Sequence, residues 1–174
     1  RKGTVCIPKV VRQEEKLAIG GFAILEQLHL AGNLSLEEGY EALLLQNNLK
    51  KYVFSMADGT GVTLEQLRVQ RGIAPEQRKE RLNRSEPSYL SDGVECFVLS
   101  EGITEGETAG EMRPVIQIIV NGRVGITNRL EGSTERQQLE AAAKQELEER
   151  LQEFAEPWRK AGTDVTDSYA LLPG

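Results

Sequence analysis

The sequence predicts an α+β fold in which a mostly antiparallel β-sheet is packed by a long C-terminal helix and a shorter helix. Three observations predict it. Short runs rich in β-branched and aromatic residues recur through the first 126 residues, and turn signals separate them. A capped segment begins near residue 36 with helical periodicity. Residues 134–160 carry an apolar stripe of the same periodicity.

The composition is typical of a folded soluble protein. The chain has 174 residues, of which 28% are charged and 39% hydrophobic, and this length suits one domain with its own core. We therefore expect residues 1–174 to form a single α+β domain, with a long polar excursion at 74–113. The net charge of −6 argues against a nucleic-acid partner, which would normally require a basic surface. The chain begins at Arg1, so we expect a piece of a longer protein.

The first predicted elements are three strands. Residues 4–11 form a β-branched run interrupted by Pro8, which indicates an edge strand. Residues 17–25 have apolar side chains at both parities, so we expect a central strand buried on both faces. Residues 28–30 should pair back as a short arm, and Gly32-Asn33 should then form a turn.

Two adjacent glycines lie in the middle of the predicted central strand. Gly20 and Gly21 raise the question of a phosphate-binding loop. A dinucleotide loop requires G-x-G-x-x-G before a helix, and a P-loop requires a following Lys and Ser or Thr. The chain instead continues as Phe22-Ala23-Ile24-Leu25, which is typical of a strand. The pair is therefore expected to mark a bulge or a close backbone approach.

The shorter helix has a clear start signal. Ser35 and Glu38 form a capping-box pattern, in which each side chain accepts a hydrogen bond from the backbone of the other. We expect a helix over residues 36–47, ended by Asn47-Asn48. Its expected apolar face consists of Leu36, Tyr40, Leu43 and Leu44.

Further strands are predicted in the second half of the sheet. Residues 51–56, 62–70 and 93–101 have strand-like composition, and residues 114–126 carry the strongest strand signal. Asn121-Gly122 has the chemistry of a type I′ turn, so a tight hairpin is expected there.

The C-terminal helix is expected to span about 27 residues and about 40 Å. Thr134 and Gln137 form a second capping-box pattern, and Gly162 should end the helix. Its apolar stripe consists of Leu139, Ala143, Leu147, Leu151, Phe154 and Trp158. The opposite face carries the i,i+4 pairs Glu140/Lys144, Glu146/Arg150 and Glu156/Lys160. We expect this stripe to pack on the sheet, and residues 164–172 to form a short strand or tail.

No catalytic, cofactor-binding or metal-ligating residue is predicted, and no cofactor is expected. His29 is the single histidine, and it has no neighbouring acidic motif for nucleophilic catalysis. Cys6 and Cys96 lack metal-ligand spacing; they are either two buried thiols or a disulfide. We therefore expect a protein that is not an enzyme.

Two segments resemble the spore germinant-receptor C subunits, the GerAC-like lipoproteins. The first is "LAIGGFAILEQLHLAGNLSLEEGYEALLL", a strand, short arm, turn and leucine-rich helix. The second begins "IQIIVNGRVGITNRLEGSTERQQLEAAAKQELEERLQEF" and leads from a strand through a polar loop into a Glu/Lys-rich helix. The matches keep chain order and span roughly 17–54 and 115–167. The resemblance implies the C-terminal domain of such a lipoprotein.

The resemblance also implies a role. The chain would be a non-catalytic accessory or assembly module of a nutrient germinant receptor acting in spore germination. Its partners would be the integral-membrane subunits of the receptor. It would lie at the extracytoplasmic face of the spore inner membrane, held by a lipid anchor absent from this chain. The alternative from the residues is a small-molecule-binding extracytoplasmic domain with a cleft between helix and sheet.

Overall fold

The computed structural model describes residues 3–73, 93–96, 116–126 and 133–167. These residues form an α+β fold with antiparallel sheets and a long C-terminal helix, as predicted. The strands are β1 (Thr4–Gln13), β2 (Lys16–Glu26), β3 (His29–Leu34), β4 (Tyr52–Ser55), β5 (Gly61–Ile73), β6 (Gly93–Cys96) and β7 (Ile116–Ile126), and the helices are α1 (Leu36–Leu45) and α2 (Ser133–Lys160). Most of the 74–113 excursion lies outside the described residues.

The first sheet is a three-stranded antiparallel meander in the order β1-β2-β3. Pro8 lies in β1, which is an edge strand as predicted, because a missing N–H costs no ladder bond at an edge. The register between β1 and β2 shifts after Lys9, which pairs with Gly21, while Val10 pairs with Ile19. Gly20 is therefore the extra residue of a bulge, and the predicted role of the glycine pair is confirmed.

The prediction that β2 is buried on both faces is wrong, because its first half is exposed and Ala23 and Leu25 of its second half are only partly buried. Leu17 is 76% exposed and Ile19 is 44% exposed. Phe22 and Ile24, in the second half, are buried in the core. The difference arises because α1 and α2 pack over Phe22 and Ile24, whereas the first half of β2 is paired with β1 alone.

The predicted turn at Gly32-Asn33 is also wrong, because both residues lie within β3. The chain turns earlier, at Gln27 and Leu28, which have positive φ angles of 52° and 66°. Gly32 has a packing role instead. A Cβ atom there would lie 2.4 Å from Cη2 of Trp158, so glycine lets the end of α2 approach the sheet.

The second sheet has four antiparallel strands in the order β4-β5-β7-β6. The predicted hairpin at Asn121-Gly122 is wrong, since β7 runs through both residues without turning. Asn121 pairs with Arg68 of β5 on one side and with Gly93 of β6 on the other. Pairing on both sides keeps β7 extended, and its Asn-Gly pair lies beside a β5 bulge between Glu65 and Arg68.

Helix α1 begins with the predicted capping box. The Ser35 hydroxyl accepts from the Glu38 N–H, and the Glu38 carboxylate accepts from the Ser35 N–H, both at 3.1 Å. At the other end Asn47 adopts φ 60°, and Asn48 N–H donates to Leu43 O at 2.8 Å. The predicted apolar face is rotated in the structure. Leu36 and Tyr40 are each 38% exposed, whereas the buried residues are Gly39, Glu41, Ala42, Leu44 and Leu45.

Helix α2 packs its predicted stripe into a core that both sheets supply. Ala143, Leu147, Leu151 and Phe154 are buried, and Trp158 packs against the same cluster. Phe22 and Ile24 from the first sheet, and Ile118 and Val120 from the second, belong to this cluster. Among the predicted i,i+4 ion pairs, Glu146–Arg150 forms at 3.2 Å and Glu156–Lys160 at 3.7 Å.

The segment after α2, residues 161–167, hydrogen-bonds to residues of α1's C-terminal end and of β5. Gly162 has φ 76°, and Thr163 N–H donates to Trp158 O at 3.0 Å, so the helix ends at the predicted glycine. Residues 164–167 form turns and not a strand. Gln46 donates to Val165 O at 2.8 Å, and Arg71 donates to Thr166 O at 2.7 Å. Backbone carbonyls that would otherwise be buried without partners are satisfied in this way.

Candidate functional site

An apolar row crosses the face of the first sheet that points away from the core. Val5 pairs with Leu25, and Leu25 pairs with Leu30, so the three side chains are neighbours across β1, β2 and β3. Ile7 and Ala23 form the next pair of the same face. We call these five residues (Val5, Ile7, Ala23, Leu25 and Leu30) the outer sheet face.

The outer sheet face is accessible to solvent. Leu30 is 63% exposed, Val5 54% and Ile7 40%. At its border the Lys9 ammonium donates to the Asn33 side-chain oxygen at 3.1 Å. The other face of the β1–β2 hairpin also carries exposed apolar residues. Val10 and Ile19 pair with each other there and are 63% and 44% exposed. Contiguous apolar side chains with a polar border are typical of a protein-interaction surface.

A second feature is a carboxyl group buried where α1 meets β4 and α2. The Glu41 side chain belongs to a residue that is only 6% exposed. Among the residues that the structure describes, none donates a hydrogen bond to this carboxyl group. A buried carboxylate without hydrogen bonds is costly, because its charge loses hydration and gains no partner in exchange.

The positive charge that acts on Glu41 is Arg150 of α2, whose guanidinium bonds to other groups. Arg150 Nη2 donates to Ser55 O at 2.9 Å and to the Glu146 carboxylate at 3.2 Å. The guanidinium also lies over the Phe54 ring, 5.3 Å from its centroid. Glu146 in turn accepts from Ala57 N–H at 2.8 Å. The arginine therefore acts on Glu41 through space and not through a direct bond.

Burial dominates the electrostatics of this junction. It raises the pKa of Glu41 from 4.5 to about 7, against the lowering effect of Arg150, while Glu38 and Glu37 raise the pKa further. Burial also raises the pKa of Tyr52 on β4, and the neighbouring Glu41 adds to that shift. The sequence analysis missed Glu41, because the predicted face of α1 was rotated away from it.

The residues singled out from the sequence do not converge on one site. His29 is exposed at the start of β3, where it pairs with Glu26. Cys6 is a free, half-buried thiol in β1, so it forms no disulfide, and burial raises its pKa. Cys96 lies in β6 of the other sheet. Gly20 and Gly21 lie within a strand ladder and not at a helix start.

The described ranges contain neither a metal-binding cluster nor a helix suited to crossing a membrane. No group of three or more His, Cys, Asp or Glu side chains in those ranges could hold a metal ion. Neither α1 nor α2 has the length and hydrophobicity that crossing a membrane requires, as far as the described residues go.

Comparison with known proteins identifies a structural relative. No family model matches the sequence, and no curated protein matches it either. The fold is similar to the crystal structure of the GerBC protein, with a TM-score of 0.59 and 14% sequence identity. The similarity covers 95% of this chain and 44% of GerBC, so the chain spans less than half the length of that protein. At this identity the likeness establishes a shared fold.

Proposed function

We propose that the chain is a non-catalytic assembly module of a nutrient germinant receptor that acts in spore germination. The observation that carries the proposal is the fold shared with GerBC over 95% of the chain, in the family to which the sequence segments also bear a resemblance. Residues 1–174 would form one domain, the C-terminal domain of a longer lipoprotein. The lipid anchor would hold it at the extracytoplasmic face of the spore inner membrane.

The outer sheet face is the surface proposed to contact the integral-membrane subunits of the receptor. Its members are apolar, and three of them are at least 40% exposed in the isolated chain. Val5, Leu25 and Leu30 are aligned across three strands, so a partner could cover them together. Burying such side chains against a partner gains about 25 cal/mol for each Å² of apolar area removed from water.

The test uses the full-length lipoprotein and a matched pair of valine substitutions. Val5→Lys places a charge on the outer sheet face, and Val53→Lys places one on β4, where Val53 is 61% exposed. We expect Val5→Lys to weaken co-purification with the membrane subunits roughly tenfold, as loss of a central apolar contact does. Val53→Lys should leave co-purification unchanged. Both should keep the free energy of unfolding within about 0.5 kcal/mol, because both sites are exposed.

Two results would contradict the proposal at different levels. Equal co-purification of the two variants would remove the outer sheet face as the contact surface. Normal receptor level and normal germination after deletion of the whole domain would remove the assembly function itself.

The alternative function is small-molecule binding in a cleft between helix and sheet, but the interface between α2 and β7 is closely packed. Leu147 and Leu151 of α2, and Ile118 and Val120 of β7, are all 0% exposed. Among the described residues, these four therefore leave no surface open to solvent between α2 and β7. A ligand that binds the folded state raises its stability by RT ln(1 + [L]/Kd), so a thermal-shift screen with nutrient-sized molecules distinguishes this alternative.

A further inference from the structure

We propose that Glu41 makes the junction of α1, β4 and α2 a proton-linked switch, in which the protonated side chain holds α1 in place and ionisation loosens it. The inference is independent of the proposed germinant-receptor role. The carboxyl group belongs to a residue only 6% exposed and receives no hydrogen bond from any described residue.

The charged and titratable groups around Glu41 come from each element at the junction. Helix α1 contributes Glu37 and Glu38, both of which favour the protonated form. Strand β4 contributes Tyr52, which remains neutral because burial and Glu41 raise its pKa. Helix α2 contributes Arg150, the group that favours ionisation, and Glu146, which pairs with that arginine.

Arg150 makes no direct bond to Glu41 and is oriented by other partners. Its Nη2 atom donates to Ser55 O and to Glu146, and its guanidinium lies over Phe54. A carboxylate at Glu41 therefore gains full hydration only if α1 moves and exposes it to water. The switch is a choice between a packed neutral acid and a displaced, hydrated carboxylate.

The direction with pH follows from proton linkage. The folded state binds the Glu41 proton more tightly than an open state in which the carboxyl is hydrated. The packing of α1 is therefore complete below pH 4.5 and is lost as the pH rises through about 7. With these two values, opening of α1 should increase about tenfold between pH 6 and pH 8.

Amide hydrogen exchange of the full chain at pH 6 and pH 8, corrected for the intrinsic rate, measures this opening. The wild type should show about tenfold lower protection of the α1 amides at pH 8. Glu41→Gln, which cannot ionise, should remove the pH dependence whatever its effect on overall protection. Glu153→Gln is the matched control, because it changes an exposed glutamate of α2 that does not act on Glu41, and it should keep the pH dependence.

A direct titration complements the exchange experiment. The side-chain carboxyl carbon of Glu41, followed by NMR, should titrate near pH 7, whereas that of an exposed glutamate titrates near 4.5. The proposal is overturned if Glu41 titrates near 4.5. It is also overturned if Glu41→Gln keeps the same change in protection as the wild type.

Discussion

Gly39 lies at the closest contact between α1 and the first sheet, and replacing it by alanine tests how the two pack. A Cβ atom at residue 39 would lie 1.9 Å from Cδ2 and 2.5 Å from Cγ of Phe22. The Phe22 ring is 3% exposed and lies against Tyr40, with the two ring centroids 5.7 Å apart. The ring therefore has little space into which it could move.

Two opposing effects set the magnitude for Gly39→Ala. Alanine is favoured over glycine in a helix interior by about 1 kcal/mol. Forcing an extra methyl group into a packed core costs about 1–3 kcal/mol, and a contact this short belongs at the upper end. We expect the overpacking cost to exceed the gain in helix propensity, so the free energy of unfolding should fall by about 1–2 kcal/mol. For a chain of this size the Tm would fall by about 2–8 °C.

Thermal and chemical denaturation of Gly39→Ala and of three comparison variants checks the reasoning. Gly72→Ala is the first control, because no heavy atom lies within 4 Å of its added Cβ, and it should be nearly neutral. In a Phe22→Ala background the same Gly39→Ala change should become stabilising, since the opposing ring atoms are gone. A Tm that rises for Gly39→Ala alone, or an equal loss in both backgrounds, would refute the proposed clash.

Two further predictions concern the helices. Ser35→Ala should lower the free energy of unfolding by about 1 kcal/mol, because the Glu38 N–H loses its acceptor, and Ser35→Asp should retain most of the stability. Urea titrations of the two variants measure the difference, and equal midpoints would show that the cap contributes nothing. Leu147→Ala should cost about 2–5 kcal/mol through the cavity it leaves, because Leu147 is fully buried. Leu28→Ala, at a leucine that is 91% exposed, should change the unfolding midpoint little.

Local signals in the sequence determined much of this fold. The capping box at Ser35 and Glu38 and the helix-ending Gly162 act through residues only a few positions apart, so both could be located from spacing alone. The stripe of α2 was equally predictable, because four of its members, Ala143, Leu147, Leu151 and Phe154, recur at helical spacing and all are buried.

The features that depend on distant partners were decided only by the tertiary structure. Asn121-Gly122 is a turn signal in isolation, yet pairing with β5 and β6 holds it in one extended strand. Gly32 accommodates Trp158, which lies about 126 positions further along the chain. No local sequence pattern predicts this contact.

Whether a candidate surface is exposed or buried was likewise decided only by the tertiary structure. The sequence identified Val5 and Leu30 as strand residues but could not assign them to an exposed face, since that depends on which side of the sheet α1 covers. From the sequence, Glu41 is an ordinary glutamate on a helix surface. In the structure it is buried at the junction with β4 and α2. Spacing along the chain fixes which residues share a face of an element, whereas the packing of other elements fixes whether that face meets water.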